Sequence, residues 1–224
     1  MIKNTSQNFN IATFSIVARS KDGQSFGVAV ASKFLAVGSY VPAATVHGAL
    51  ATQASTNMGL RTEGMNMLEE GVSAEEVLKI FFESDSKRNL RQAGVVDAKG
   101  LSATYTGEDC QPWAGGHAEA HPSGSFAIQG NLLAGPEVVE SMVAAWCNSD
   151  TGLSLAWRLM AALEAGQAAG GDSRGDQAAA LYVVEKDKGF EGTSDIAVDL
   201  RCDDSSEPIK ELKRLLQLHD ELFK

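Results

Sequence analysis

Two hydroxyl side chains, Thr13 and Ser15, lie two residues apart in an apolar stretch that alternates in the manner of a β-strand. In a strand, residues i and i+2 point to the same face and lie about 7 Å apart. A hydroxyl held beside a base or a cation is a candidate nucleophile for acyl transfer. Threonine is also common in strands for reasons of packing alone, and the pattern by itself favours that simpler explanation.

Lys33 is the only charged residue between Asp22 and Arg61, and it follows a second strand pattern made of small and β-branched residues. A lysine that is removed from water beside the strand hydroxyls would lower the pKa of a nucleophile. A lysine at the end of a strand can equally extend its ammonium into solvent. The sequence leaves both interpretations open.

Two polar segments complete the candidates. Gln129 and Asn131 flank a glycine at the end of a predicted strand, where amide and backbone N–H groups are suitable donors to an oxyanion. The same residues are also common in turns that precede a helix. Asp172 and Arg174 lie in the glycine-rich segment 170–176. Arg174 can bind a substrate carboxylate through two parallel hydrogen bonds, or it can pair with Asp172 only to order the loop.

A metal or cofactor site is not expected. His117 and His121 have a spacing that binds zinc when both ride one face of a helix, but glycines precede them and Pro122 follows, which argues against a helix. The dinucleotide-binding glycine motif, the phosphate-binding loop, the nucleophile elbow of α/β-hydrolases and the calcium-binding EF-hand loop are all absent from the sequence.

Composition narrows the class of protein. The 224 residues include 19 basic and 29 acidic side chains, a net charge of −10, which makes a general nucleic-acid binder improbable. Three widely spaced cysteines without a Cys-x-x-Cys motif are typical of reduced thiols in a cytoplasm. The uncharged stretches are interrupted by proline, glycine and polar residues, so a membrane span is not expected. We expect a soluble, cytoplasmic protein with one domain over 1–224, of which 1–11 form an N-terminal extension.

The elements that must position these side chains follow from periodicity. Alternating strands around a Ser-Lys-Asp-Gly turn predict a hairpin at the start of the chain, and a second hairpin is predicted around Lys99-Gly100. Helical patterns are predicted over 60–84 and 136–166, and an amphipathic helix follows Pro208. Segment 41–53 is predicted as buried strand and 107–124 as a loop. This order predicts an α+β fold, a four-layer αββα sandwich of two antiparallel sheets with helices outside.

Six motifs in order resemble a known family. They are Ala-Thr-Phe-Ser-Ile-Val-Ala-Arg at 12–19, the Gly-Val-Ala-Val-Ala-Ser-Lys run beginning at 27, Ala-Thr-Gln-Ala at 51–54, Gln-Gly-Asn at 129–131, Leu-Ala-Gly-Pro-Glu at 133–137, and Gly-Gln-Ala-Ala-Gly-Gly-Asp at 166–172. Together they resemble the prokaryotic domain of unknown function 1028, which is grouped with the N-terminal-nucleophile hydrolases. The resemblance spans nearly the whole chain and implies the αββα sandwich. The family itself supplies no known reaction.

The resemblance also implies roles for particular residues. Thr13 stands in the place of the nucleophile on the first strand, with Ser15 as the fallback. Lys33 falls near the position where proteasome-like relatives keep a lysine close to the nucleophile. Asp172 and Arg174 fall where such relatives keep an orienting polar loop before a late strand.

The N-terminal-nucleophile hydrolases have one requirement that this sequence does not meet as it stands. The nucleophile must be the first residue of the mature chain, because its own α-amine serves as the general base. Twelve residues precede Thr13. Either the chain is a precursor that is processed, or the fold is used without amine-assisted catalysis.

The leading hypothesis is therefore an amidohydrolase or peptidase that attacks a small amide or peptide bond by acyl transfer, with Gln129 and Asn131 as oxyanion donors and without a cofactor. The alternative is a non-catalytic ligand-binding or oligomeric scaffold protein that keeps the fold. The expected partner is a small amide or peptide substrate, and a homo-oligomer is expected from the fold class alone.

Overall fold

The computed structural model describes residues 13–223, which form two antiparallel β-sheets and five α-helices. The six-stranded sheet has the spatial order β10 (Ile196–Cys202), β9 (Ala178–Glu185), β2 (Ser25–Ser32), β1 (Thr13–Arg19), β8 (Phe126–Asn131), β7 (Gly115–Glu119). The four-stranded sheet has the order β3 (Pro42–Thr45), β4 (Gly48–Ala54), β5 (Arg91–Asp97), β6 (Ser102–Thr106). The helices are α1 (Met65–Glu69), α2 (Ala74–Ser84), α3 (Glu137–Cys147), α4 (Leu155–Ala168) and α5 (Pro208–Leu222). A π-helical turn, Leu60–Gly64, leads into α1.

The β1–β2 hairpin lies at the centre of the six-stranded sheet. Its alternating side chains divide as the sequence predicts: Phe14 and Ile16 pack against helices, whereas Val17 packs between the two sheets. The connecting turn is closed by Asp22, whose carboxylate accepts hydrogen bonds from the hydroxyl of Ser20 at 2.6 Å and from the main chain. Because the side chains alternate, Thr13 and Ser15 share with Val17 the face that lies against the other sheet.

Three apolar clusters hold the layers together. The first joins the six-stranded sheet to α3, α4 and α5, and the second fills the space between the sheets. The third joins the four-stranded sheet to α1 and α2. Helix α2 begins after Ser73, which caps it by accepting the N–H of Glu76. Asp97, at the end of β5, further fixes this helix by accepting the first helical N–H, that of Ala74, at 3.0 Å.

The mixed α+β class and the two antiparallel sheets are confirmed. The strand predicted over 41–53 is present as two strands, and the prediction of a loop over 107–124 is wrong. Segment 41–53 is two antiparallel strands, β3 and β4, that turn sharply before Gly48, a residue with φ +155°. Segment 107–124 contains β7, which pairs with β8 at the edge of the six-stranded sheet. Of the helices in the described part of the chain, none is both long and apolar enough to span a bilayer.

Candidate functional site

Three polar residues lie on adjacent strands at the start of β1. Thr13 is fully buried, and its hydroxyl donates to the Oγ of Ser32 at 3.3 Å. On the other side of β1, Asn131 is the register partner of Thr13 and is also buried. Neighbouring strands therefore bring residues 13, 32 and 131 into one row on the face between the sheets.

Ser15 lies in a closed chain of hydrogen bonds one row further along. Its hydroxyl donates to the Oε1 of Gln53 at 2.7 Å and accepts the Nε2 of Gln129 at 2.6 Å. All three side chains are fully buried. Both the donor and an acceptor position of this hydroxyl are therefore engaged by neighbouring side chains.

Gln92 of β5 links the two sheets through this polar cluster. Its Oε1 accepts the amides of Gln53 at 2.8 Å and Asn131 at 2.9 Å. Its Nε2 donates across the gap to the carbonyl of Gly130 at 2.8 Å, and also to Thr106 and the carbonyl of Gly115. Gln92 is fully buried and has several hydrogen-bond partners. It orders the groups around it, because an arrangement that breaks one of these bonds leaves a polar atom without either a partner or water.

Asp172 fastens the loop beside the Thr13 row. Its carboxylate, whose side chain is 0% exposed, accepts the main-chain N–H of Lys33 at 2.9 Å and forms an ion pair with Arg174 at 2.8 Å. The same carboxylate accepts the main-chain N–H of Arg174. The Arg174 side chain is 36% exposed, so the loop is ordered by the pair while part of the guanidinium faces solvent.

The Lys33 side chain is exposed, and its ammonium donates to the main-chain carbonyl of Asp176 at 2.9 Å. Ser32, one residue earlier, supplies the side chain that contacts the Thr13 hydroxyl. The alternation of β2 accounts for this difference, because consecutive residues face opposite sides of a sheet. Of the two interpretations that the sequence leaves open, the placement of the ammonium beside the hydroxyls is not the one in the structure: the ammonium contacts Asp176, and the backbone N–H is bonded to Asp172.

Gln53 and Gln92 are the site residues that the sequence reasoning missed. Gln53 lies inside a run of small and apolar strand residues, and Gln92 directly precedes the apolar run of β5, which is the signal that could have marked them. Each also donates to a main-chain carbonyl of the other sheet, so their role follows only from the tertiary structure.

The two histidines of the predicted spacing have separate neighbours in the structure. His117 lies on the edge strand β7 and contacts Glu119 at 3.3 Å, and His121 contacts Ser123 in the following turn. Across residues 13–223, no group of three or more His, Cys, Asp or Glu side chains is arranged to hold a metal ion.

Comparison with known proteins places this chain in a family. The model of the family of unknown function DUF1028 matches residues 13–212, so the chain belongs to that family. The match begins at Thr13. No protein with a curated description matches the chain.

A solved structure supports the same assignment. The chain is similar to protein SPO2555 from Silicibacter pomeroyi, whose crystal structure is described as a DUF1028 protein, with 30% identity and a TM-score of 0.81. The similarity covers 92% of this chain and 88% of that one.

Proposed function

We propose that the chain is an amidohydrolase of the N-terminal-nucleophile type that cleaves a small amide or peptide bond. Its two facing sheets with helices on both outer surfaces correspond, in this proposal, to the αββα sandwich of that class. The observation that carries the proposal is the position of Thr13: a buried hydroxyl at the first residue of β1, in the row it shares with Ser32 and Asn131.

The chemistry begins with hydrolysis of the peptide bond before Thr13. This step consumes one water, releases residues 1–12 and leaves Thr13 with a free α-amine. The amine then takes the hydroxyl proton while Oγ1 attacks the substrate carbonyl carbon. The proton passes to the leaving nitrogen as the C–N bond breaks, which gives an acyl ester on Thr13. A water molecule hydrolyses this ester and regenerates the hydroxyl.

The surrounding residues take supporting roles in this proposal. The Asn131 amide uses one N–H on Gln92 and has a second N–H for a developing oxyanion beside Thr13. Gln129 is engaged with Ser15 and holds the network in place. Asp172 accepts the backbone N–H of Lys33 and so holds the end of β2, where Ser32 contacts Thr13. Arg174, which is partly exposed, is suited to bind an anionic group of the substrate.

A substrate screen tests the proposal. A site-specific protease sequence placed directly before Thr13 allows the chain to fold before Thr13 becomes N-terminal. Turnover of chromogenic aminoacyl anilides, acyl anilides and short peptides is then compared before and after cleavage. We expect activity only after cleavage, its loss in Thr13→Ala, and its retention at a reduced rate in Thr13→Ser. Activity that is unchanged in Thr13→Ala would contradict the proposal.

One observation favours a second candidate, a non-catalytic ligand-binding or scaffold protein of the same fold. The glutamines of the polar cluster donate mainly to one another and to main-chain carbonyls, and the Lys33 ammonium is directed to a carbonyl. A network of this kind stabilises a fold without any reaction. Full-length chain that stays intact by mass spectrometry, together with no turnover after engineered cleavage, would favour this candidate.

A further inference from the structure

The larger sheet extends past the smaller one on one side of the molecule. The edge strand β3 of the four-stranded sheet packs against β2 and β9, whereas β10 is the edge strand of the six-stranded sheet. The inner face of β10 therefore lies beyond the edge of the smaller sheet. Arg201 and Asp199 occupy this face, next to Ala180 and Tyr182 of β9.

A cavity of about 370 Å³ lies at this overhang. We call it the overhang cavity, and its polar lining consists of Ser39, Arg61, Tyr182, Asp199 and Arg201. The remaining wall comes from the β3 segment and from Gly38. This volume lies within the range of sites for small molecules.

Arg61 is the unusual member of the lining. It is half-buried, and its Nη1 donates to the main-chain carbonyl of Ser39 at 2.5 Å. Within residues 13–223, the ion pairs do not include Arg61. Loss of solvent lowers the pKa of its guanidinium, and no carboxylate opposes that effect. A guanidinium has five N–H donors, so one bond to the carbonyl of Ser39 leaves donors of Arg61 for solvent or a ligand.

The other polar groups of the cavity are compatible with a ligand that carries one negative charge. Arg201 reaches the hydroxyl of Ser39 at 3.4 Å and is also outside the ion pairs of the described chain. Burial and the nearby Asp199 raise the pKa of Tyr182 while Arg61 lowers it, and the net effect keeps its hydroxyl protonated and able to donate. Two arginines and one aspartate give the lining a formal charge of +1, in a protein whose net charge is −10.

We propose that the overhang cavity binds the carboxylate group of a small molecule, with Arg61 and Arg201 as its cationic ligands and Tyr182 as a neutral donor. A planar guanidinium matches the two oxygens of a carboxylate, which accounts for arginine at both positions. A single negative charge matches the lining charge of +1. A phosphate dianion would place a second negative charge beside Asp199, so phosphate is expected to bind more weakly. This site is independent of the hydrolase proposal.

The test compares two probes of similar size, N-acetylglycine with a terminal carboxylate and N-acetylglycinamide with a neutral amide in its place, and uses inorganic phosphate as a third. Binding to the full-length chain is followed through the backbone amide signals of Ser39 and Tyr182 in ¹H–¹⁵N NMR spectra. We expect N-acetylglycine to bind saturably and the other two probes to bind at least tenfold more weakly. Arg61→Gln should weaken N-acetylglycine binding at least tenfold and Arg201→Gln several-fold. The matched control, Arg214→Gln, changes an exposed arginine on α5 and should have no effect.

Several results would overturn the proposal. Equal binding of the acid and the amide would remove the role of the carboxylate, and tighter binding of phosphate would contradict the stated ligand class. Unchanged affinity in Arg61→Gln would exclude that residue as a ligand. The arginines would instead belong to an interface between copies of the chain if the wild type is a dimer that dissociates in Arg201→Gln and if it binds the acid no better than the amide. If Arg61→Gln does not fold, two measurements still decide the outcome. They are the comparison of acid and amide binding to the wild type, and the affinity of N-acetylglycine for Arg201→Gln, in which an exposed side chain is changed.

Discussion

Replacing Gln92 with leucine tests whether the buried polar cluster holds the two sheets together. The substitution keeps a side chain of similar size but removes an acceptor for Gln53 and Asn131 and donors to the carbonyls of Gly115 and Gly130. The site has no access to water, since Gln92 is 0% exposed. The polar groups that it leaves behind therefore stay unpaired unless the sheets separate.

The size of the effect follows from those groups. A buried donor left without an acceptor costs about 1–3 kcal/mol. Gln92 is the acceptor of the Asn131 amide at 2.9 Å, so we assign about 2 kcal/mol to that loss. Gln53 keeps two longer contacts, to the carbonyls of Thr13 at 3.3 Å and Gln129 at 3.4 Å, so its loss is smaller, about 1 kcal/mol. The expected decrease in the free energy of unfolding is about 3 kcal/mol.

Urea denaturation followed by tryptophan fluorescence and circular dichroism measures this decrease. With a denaturant dependence of about 3 kcal/mol per molar, the midpoint should fall by about 1 M urea at an unchanged slope. Gln217→Leu on the exposed surface of α5 is the matched control and should lie within about 0.5 kcal/mol of wild type. A Gln92→Leu variant that loses less than about 1 kcal/mol would refute the reasoning, because the partner groups would then be satisfied without Gln92.

Two further substitutions test neighbouring contacts. Burial tends to raise the pKa of Asp85, but hydrogen bonds from a main-chain N–H, an asparagine amide and Arg91 lower it overall. Its stabilising contribution is therefore present above the unfolded-state pKa and is lost as pH falls through the folded-state pKa. Asp85→Asn should cost about 3 kcal/mol at neutral pH, and the difference in urea midpoint should narrow below about pH 4. A pH-independent difference would contradict the ion pair. Gly94→Ala should cost about 2 kcal/mol, because its methyl group would lie 2.0 Å from the Oε1 of Gln129, which Ser15 holds in place. The cost should shrink in a Gln129→Ala background, and equal costs in both backgrounds would contradict the clash.

The sequence predicts the elements whose signals are local. The alternation of residues 13–19 and the Asp22-Gly23 turn predict the first hairpin, and the structure contains it in that register. The cap at Ser73 marks the start of α2 because its hydroxyl acts within a single turn of chain. Strand β7 escaped prediction because its residues, Gly-Gly-His-Ala-Glu, lack β-branched and aromatic side chains. It forms a strand because it pairs with β8, and this pairing is a property of the tertiary structure.

The candidate site also has some features that local sequence predicts and others that depend on the tertiary structure. The shared face of Thr13 and Ser15 follows from strand alternation, and the pairing of Asp172 with Arg174 follows from their spacing. The contacts of Gln53 and Gln92 join strands that are far apart in sequence, so no local pattern contains them. The direction of the Lys33 side chain depends on where β2 ends, and a boundary shifted by one residue changes the face on which a side chain lies.

Covalent labelling of Thr13 tests the central claim most directly. A β-lactone acylates a nucleophilic hydroxyl with opening of its ring, so the mass of the protein increases by the mass of the whole lactone. Chain cleaved to begin at Thr13 is incubated with the probe and analysed by intact and peptide mass spectrometry, beside the uncleaved chain and Thr13→Ala. Activation by the free α-amine predicts a single adduct on Thr13 in the cleaved chain alone. No adduct, or equal labelling of the cleaved and uncleaved chains, would contradict it.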